Sequence, residues 1–311
     1  MPTAVSLFSG CGGSDLGLHQ AGFNILLAND ILPHAQQVYL NNLPETDFQL
    51  GDISAIPNFP QADVLAGCYP CQGFSDGGVR DAARGINFLY REFDRALRQI
   101  RPRAFVVENV SGMTRSNYKH LLQNQLTRFR SAGYFVSWAV LNALDFGLAQ
   151  ERKRIFFVGI RSNLGVRYVF PQPSHGPGRA NSHRTQTDVI EGLPEWPDGE
   201  FCTDEFHWYY LSRNRYRGWN EPSKTIVSNQ RHVPLHPNSP CLIKHGNDDW
   251  RFAENRPARR LSFREAALLQ GFPQEFEISE EIPLKKKYQV VGNAVPPPLF
   301  RAVVEALPPI W

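Results

Sequence analysis

Short apolar runs separated by glycine-bearing turns recur along the first half of the chain, at a length that suits buried strands. Val5-Ser6-Leu7-Phe8 is the first, and Ser9-Gly10-Cys11-Gly12-Gly13 leads from it into a helix over residues 14–22 that closes on glycine. A second strand over residues 23–28 ends at Asn29-Asp30, and a third, Phe48-Gln49-Leu50, runs into Gly51-Asp52-Ile53. Residues 62–66 form a fourth that stops at Gly67, and residues 104–107 a fifth that delivers Glu108-Asn109-Val110. Helices are expected over residues 88–98 and 118–131, and strands over residues 135–141 and 150–160. Alternation in the last strand places Arg152 and Arg154 on one face. Strand and helix in alternation predict an α/β, Rossmann-like fold, with ligands at the carboxyl ends of the strands.

The pattern changes after residue 170. Pro171-Gln172-Pro173-Ser174-His175-Gly176-Pro177-Gly178 reads as a linker. Beyond it, residues 206–219 interleave aromatics with arginines, and Lys224, Arg231, Lys244, Arg251, Arg256, Arg259 and Arg260 continue the basic character. Such a stretch suits a nucleic-acid surface, where cations meet phosphates, and equally a solvated, salt-bridged face. A helix over residues 263–269 is stopped by Gly271-Phe272-Pro273, and Gly292-Asn293-Ala294-Val295-Pro296 is expected to start the final helix.

With 311 residues the chain is long enough for a large domain and a smaller one. A net charge of +3 says little, so the distribution of charge carries the argument. No apolar run reaches membrane-spanning length and the first residues lack the pattern of a signal peptide, which points to the cytoplasm and to no membrane partner. Five scattered cysteines favour reduced thiols over a disulfide framework. His232 and His236 have no partners at metal-ligand spacing, so no metal is expected.

Candidate chemistry centres on Cys71, just past a strand end in Gly67-Cys68-Tyr69-Pro70-Cys71-Gln72-Gly73-Phe74-Ser75. A thiolate there is placed to act as a nucleophile; a buried structural cysteine and a redox Cys68-x-x-Cys71 pair are the competing readings. The polar segment from Ser75 to Asp81 reads as a lid or as a plain connection. Glu108, at the end of a central strand, is costly to bury without a task and is a candidate acid. Asp30 stands roughly 20 residues after the glycine turn, where nucleotide folds grip ribose hydroxyls. Two acids, Asp30 and Asp52, at successive strand ends and no phosphate-binding lysine suit an adenosyl ligand of low negative charge. The glycines miss dinucleotide spacing because Asp15 stands at the third position, which disfavours a nicotinamide enzyme. Arg152 and Arg154 suit a phosphate or a base carbonyl, or a structural salt-bridged pair.

Taken in order, Phe8-Ser9-Gly10-Cys11-Gly12-Gly13, Asn29-Asp30, Gly51-Asp52-Ile53, Pro70-Cys71-Gln72-Gly73-Phe74-Ser75, Glu108-Asn109-Val110, Gln150-Glu151-Arg152-Lys153-Arg154, Arg264-Glu265 with Gln270-Gly271-Phe272-Pro273, and Gly292-Asn293-Ala294-Val295 resemble the cytosine-C5 DNA methyltransferases. The resemblance covers nearly the whole chain. It implies a methyltransferase fold that binds S-adenosylmethionine and a smaller target-recognition domain, with residues 1–170 plus 285–311 forming the catalytic domain and 171–284 the reader. It implies that the Cys71 thiolate adds to C6 of a cytosine swung out of duplex DNA. Glu108 would then bind N3 and the exocyclic amine, and Arg154, with Arg152 nearby, the O2 atom. For the cofactor it implies Phe8, Gly10, Gly12, Asp30, Ile31, Asp52, Ile53 and Asn293, with Asp and Ile at 30 and 31 where relatives commonly carry a longer acid and a bulky aromatic. For DNA it implies Gln72, Ser75, Thr225 and Arg231. Double-stranded DNA is the expected partner, a separately acting restriction endonuclease a further one. A tRNA cytosine-5 methyltransferase and a non-catalytic DNA-binding module on the same fold stay open as alternatives.

Overall fold

The computed structural model describes residues 1–70 and 89–311; Cys71, Gln72, Ser75 and the proposed lid lie outside the described residues. The described chain divides into two compact units. The first comprises Met1–Leu141, Lys153–Gln172 and Leu299–Trp311, the second Asn142–Arg152 and Pro173–Pro298.

In the first unit β1 (Thr3–Leu7), α1 (Gly13–Gln20), β2 (Asn24–Asp30), α2 (Pro33–Asn42), β3 (Asp47–Leu50), β4 (Val64–Gly67), α3 (Tyr90–Ile100), β5 (Ala104–Val110), α4 (Lys119–Ser131), β6 (Tyr134–Asn142) and β7 (Lys153–Arg161) follow in order. The sheet runs β3-β2-β1-β4-β5-β7-β6, parallel from β3 to β5, with β7 antiparallel to β5. The chain leaves β1 for β2 on one side and later returns to β4 on the other. The crevice beyond their carboxyl ends is therefore the topological switch point, where open α/β sheets bind ligands.

Both faces of the sheet are covered, which explains why the strand sequences are apolar throughout rather than alternating. Phe156 and Phe157 show it: adjacent on β7, both wholly buried, they point to opposite faces. Phe157 joins an aromatic chain through Phe129, Phe105 and Phe93 to Tyr69, with centroid separations of 4.6–6.0 Å along it. Phe156 meets Phe300 at 6.2 Å, on the returning segment Leu299–Trp311. Tyr168 Oη also ties that segment in by donating to the Val303 carbonyl at 2.7 Å.

The second unit carries little regular structure: α5 (Thr187–Ile190), α6 (Trp208–Leu211), the hairpin β8 (Leu242–Gly246) and β9 (Asp249–Phe252), α7 (Phe263–Leu269) and α8 (Leu284–Asn293). The last helix, α9 (Pro297–Glu305), follows. Loops leave carbonyls without ladder partners, and buried guanidinium groups supply the donors instead. Arg260 donates to the carbonyls of Cys202, Asp204, Glu205 and Arg231 at 2.6–3.3 Å. Arg215 does so to Tyr210 and His232, at 2.7 and 3.0 Å. Arg259 forms a two-pronged bond to Glu265 at 2.7 and 2.8 Å, and Glu265 in turn closes the capping box on Ser262 that starts α7.

The division departs from the expected domain boundaries. Asn142–Arg152 and residues 285–298 belong to the second unit. Hydrogen bonds give the reason: Gln150 Nε2 donates to Leu269 O and Gln270 Oε1, and Gln150 Oε1 accepts from Ile226 N. Two local expectations also change. The strand expected from residue 150 begins at Lys153, and Gly292-Asn293 ends α8 rather than starting the final helix.

Candidate active site

Register brings three sequence motifs to one edge of the first unit's sheet. Leu7 pairs with Gly67 and Gly67 with Val107, so the glycine turn after β1, the segment toward Cys71 after β4, and Glu108 on β5 lie at neighbouring strand positions. Cys68 N donates to Leu7 O at 3.2 Å, which holds the first two together. Glu108 lies inside β5 rather than beyond it. Its neighbour Asn109 donates to the Tyr69 carbonyl at 3.1 Å, and Tyr69 Oη donates to Gln125 Oε1 at 2.7 Å. The chain leading to Cys71 is thereby pinned to the strand that carries the acid.

Glu108 pairs diagonally with Arg154: Val110 stands opposite Arg154 and Glu108 opposite Phe156, so both charged side chains share a face. Arg154 Nε lies 2.9 Å from Glu108 Oε1 with both side chains largely buried. Burial pushes the guanidinium pKa down, and the Glu108 carboxylate opposes that shift. A carboxyl group beside a guanidinium sets acceptor oxygens next to N–H donors, which matches the amine and the carbonyl along one edge of a pyrimidine.

The glycine turn is built by conformation. Gly10 and Gly12 have φ of 55° and 90°, and a Cβ on Gly12 would stand 3.0 Å from the Tyr39 ring. Phe8 itself has φ of 59°, a strained angle for an aromatic residue, while its ring meets Tyr69 edge-on at 6.2 Å. Asp30 accepts from Gly10 N at 2.9 Å and Leu32 N at 3.0 Å, tying β2 to the turn, and burial pushes its carboxyl pKa up. Ile31 beside it is an apolar side chain left 62% exposed. Asp52 accepts from Ser54 N at 2.8 Å, which lowers its pKa, and is exposed. Ile53 is buried in the core, and its carbonyl accepts from Arg95 Nη2 at 2.9 Å and Ile56 N at 3.1 Å. Sequence reasoning passed over Asp15, which is wholly buried and accepts from Ser6 Oγ, Ser14 Oγ and Tyr39 Oη at 2.7–2.9 Å. The signal was its replacement of the third glycine.

Cys68 has its thiol pKa pushed well up by burial, with Glu108 and Asp15 adding to the shift. A thiol held protonated in this way is a poor redox partner.

Several other expected site residues belong to the second unit. Arg152, expected beside the base, is 2% exposed in the second unit and donates to the carbonyls of Ile226, Gly292 and Ala294 at 2.8–3.1 Å. Because β7 starts at Lys153, strand alternation never extends to it. Asn293 is exposed at the end of α8, also in the second unit. Thr225 Oγ1 donates to Glu151 O at 2.6 Å, and Arg231 pairs with Asp204. Arg259 and Arg260, expected on a DNA-facing surface, are buried.

The sequence model of the C-5 cytosine-specific DNA methylases matches residues 3–308. The chain is 35% identical to the type II methyltransferase M.BsuRI of Bacillus subtilis, over 97% of this chain and 78% of that one. It is 36% identical to the type II methyltransferase M.NgoPII of Neisseria gonorrhoeae, over 97% and 94%. Among solved structures, a mutant DNMT2 of Spodoptera frugiperda superposes with a TM-score of 0.73 at 18% identity, covering 98% and 99% of the two chains, a likeness of fold.

Proposed function

The chain belongs to the C-5 cytosine-specific DNA methylases, and from that premise we propose that Cys71, Glu108 and Arg154 carry the methylation of carbon 5 of a cytosine extruded from duplex DNA. The activity itself, DNA (cytosine-5-)-methyltransfer with S-adenosylmethionine as donor, follows from the family. The observation that supports the residue roles is the Glu108–Arg154 pair at 2.9 Å, on the sheet edge to which Asn109 pins the approach to Cys71.

The cofactor turn fits an adenosyl group. Backbone at positive φ in Gly10 and Gly12 allows close approach, and Asp30 stands at the strand end for the ribose hydroxyls. Exposed Ile31 offers an apolar face to adenine, and exposed Asp52 an acceptor at its edge. Phe8 borders the same turn. When bound, S-adenosylmethionine supplies an electrophilic methyl group.

C5 of cytosine is a weak nucleophile in an aromatic ring. Addition of the Cys71 thiolate to C6 breaks the aromaticity and makes C5 an enamine carbon. Glu108, a carboxylic acid when the base is bound, gives its proton to N3 as charge builds there and accepts from the amine, while Arg154 holds O2. After methylation the C5 proton passes to water in the pocket, its C–H electron pair re-forms the C5–C6 double bond and expels the Cys71 thiolate, and N3 returns its proton to Glu108, leaving 5-methylcytosine. C6 is inaccessible in a stacked duplex, so the base is extruded first, at a cost of a few kcal/mol. The second unit is the reader of DNA sequence in this proposal, and the protein is the modification partner of a separately acting restriction endonuclease in a bacterial cytoplasm.

Bisulfite sequencing of DNA from cells expressing the protein tests substrate and site together. Cys71→Ser is expected to abolish methylation while leaving cofactor affinity unchanged. Substantial turnover by that variant ends the nucleophile assignment.

A further inference from the structure

Asp52 stands on the loop between β3 and β4, and one face of α3 holds that loop in place. The Asp52 carboxylate accepts from Ser54 N at 2.8 Å and starts a single helical turn, Ile53–Ala55. So short a turn satisfies little of its own backbone, and the fork of Arg95 supplies donors instead. Arg95 Nη2 donates to Ile53 O and Nη1 to Ile56 O, both at 2.9 Å. Its Nε lies 2.8 Å from Glu92 Oε2, and the guanidinium stands 5.1 Å from the Phe59 ring centroid. Gln99 Nε2 continues the row, donating to Pro57 O at 3.2 Å and Asn58 Oδ1 at 2.9 Å. Glu92, Arg95 and Gln99 follow at intervals of three and four residues, so they share one face of the helix. Another face of α3 packs into the core through Phe93, Ala96, Leu97 and Ile100. The loop thus takes its position from a helix anchored in the core.

A planar guanidinium bonded to two carbonyls and a carboxylate fixes direction as well as distance, which a flexible ammonium does not. Two of those bonds fall on the turn that Asp52 caps. The bond from Ser54 N keeps Asp52 ionised, with a pKa below the ordinary carboxylate value. Adenine presents an exocyclic amine where hypoxanthine presents a carbonyl, and a carboxylate accepts from the first and repels the second. Such a choice requires the carboxylate to be held within the tolerance of a hydrogen bond. We propose that Arg95 is a positioning residue for the methyl donor: by clamping residues 53–56 to α3 it holds Asp52 where it selects adenine over hypoxanthine. The clamp rests on the adenine-edge reading of Asp52 given above. Arg95 acts through the turn and not on the ligand.

Titration calorimetry of the full chain with S-adenosylhomocysteine and with S-inosylhomocysteine reads the selection as a ratio of affinities. Wild-type protein is expected to prefer the adenosyl form roughly 10- to 100-fold, the worth of a charge-assisted hydrogen bond. Asp52→Ala is expected to bring the ratio close to unity. Arg95→Ala is expected to lower it roughly 5- to 10-fold, with a rise in KM for the donor that exceeds any fall in kcat. Arg95→Lys keeps the charge without the fork and is expected to fall between alanine and wild type. A wild-type ratio in Arg95→Ala overturns the clamp alone, and so does an equal loss of affinity for both ligands, which a merely loosened fold would give. Should Arg95→Ala fail to fold, a wild-type ratio in Arg95→Lys overturns it in the same way. Wild-type protein that binds both ligands alike, or a ratio unmoved by Asp52→Ala, removes Asp52 from the adenine edge and defeats both readings together.

Discussion

Asp30 accepts two backbone N–H groups, from Gly10 and Leu32, and so fixes the glycine turn in addition to the ribose contact proposed for it. Asp30→Ala is therefore expected to weaken S-adenosylmethionine binding by about 10- to 100-fold, the worth of one or two charge-assisted hydrogen bonds. Titration calorimetry with the cofactor, set beside DNA affinity by anisotropy, checks it; a larger effect on DNA removes Asp30 from the pocket. Arg152 carries the opposite expectation. It feeds three carbonyls from a buried position. Arg152→Ala is thus expected to cost about 3 kcal/mol of stability by leaving those carbonyls without donors. Urea unfolding measures the loss, and an unchanged midpoint with reduced turnover restores Arg152 to the chemistry. The contrast with Arg154 is one of neighbours: the residue types are the same, but Arg154 meets a carboxylate on the adjoining strand, whereas Arg152 meets the Ile226 carbonyl and those at the end of α8.

At the scale of elements, the β5–β7 pair sets the spacing of the active edge. Phe105 stands opposite Gly159, and a Cβ on Gly159 would lie 2.0 Å from the Phe105 ring, deep in the core. Gly159→Ala is expected to destabilise the first unit by about 3 kcal/mol through overpacking. Adding Phe105→Leu is expected to recover part of that loss. Thermal melts of the single and double variants read the coupling, and strict additivity argues against the contact. Strands β1, β4 and β5 were legible in the sequence because runs buried on both faces are continuously apolar and end at glycine or a polar motif. Helix α2 was not read, because only Ala35, Val38 and Tyr39 are buried on it and its apolar stripe is thin.

For the molecule as a whole, acid stability turns on a histidine that does no chemistry. His236 is buried beside Glu265, its Nε2 3.5 Å from the carboxylate, and its Nδ1 accepts from Asn238 N at 3.1 Å. A ring nitrogen that accepts from a backbone N–H cannot carry a proton. Burial lowers the pKa from 6.5 to about 4, with Glu265 opposing the shift. The ring is neutral in the fold and the unfolded chain takes up the proton first. Stability present above pH 6.5 is therefore lost as pH falls toward about 4. His236→Gln is expected to flatten that decline in melts between the two limits; an unchanged slope rules the residue out. The same region shows why net charge was a weak guide. Of the arginines after residue 205, Arg259 and Arg260 are internal struts, so the count of basic residues overstates the surface available to phosphate.

The order of motifs and the α/β class were determined by sequence alone, since each depends on local pattern: run length, alternation, and which residue ends a strand; Glu108, Arg154, Asp30 and the glycine turn were named there as candidates. The sequence also named Cys71, which lies outside the described residues. What only the tertiary structure decided was the partner of each polar group. Arg152, Thr225 and the buried arginines look in sequence like their functional neighbours, and Asn142–Arg152 looks like part of the first unit. Hydrogen bonds between residues some 74 to 142 positions apart, from Thr225 to Glu151 and from Arg152 to Ala294, give these side chains structural partners that no local pattern announces. Pattern reports which face of an element is apolar; it carries no information on which distant carbonyl will need a donor.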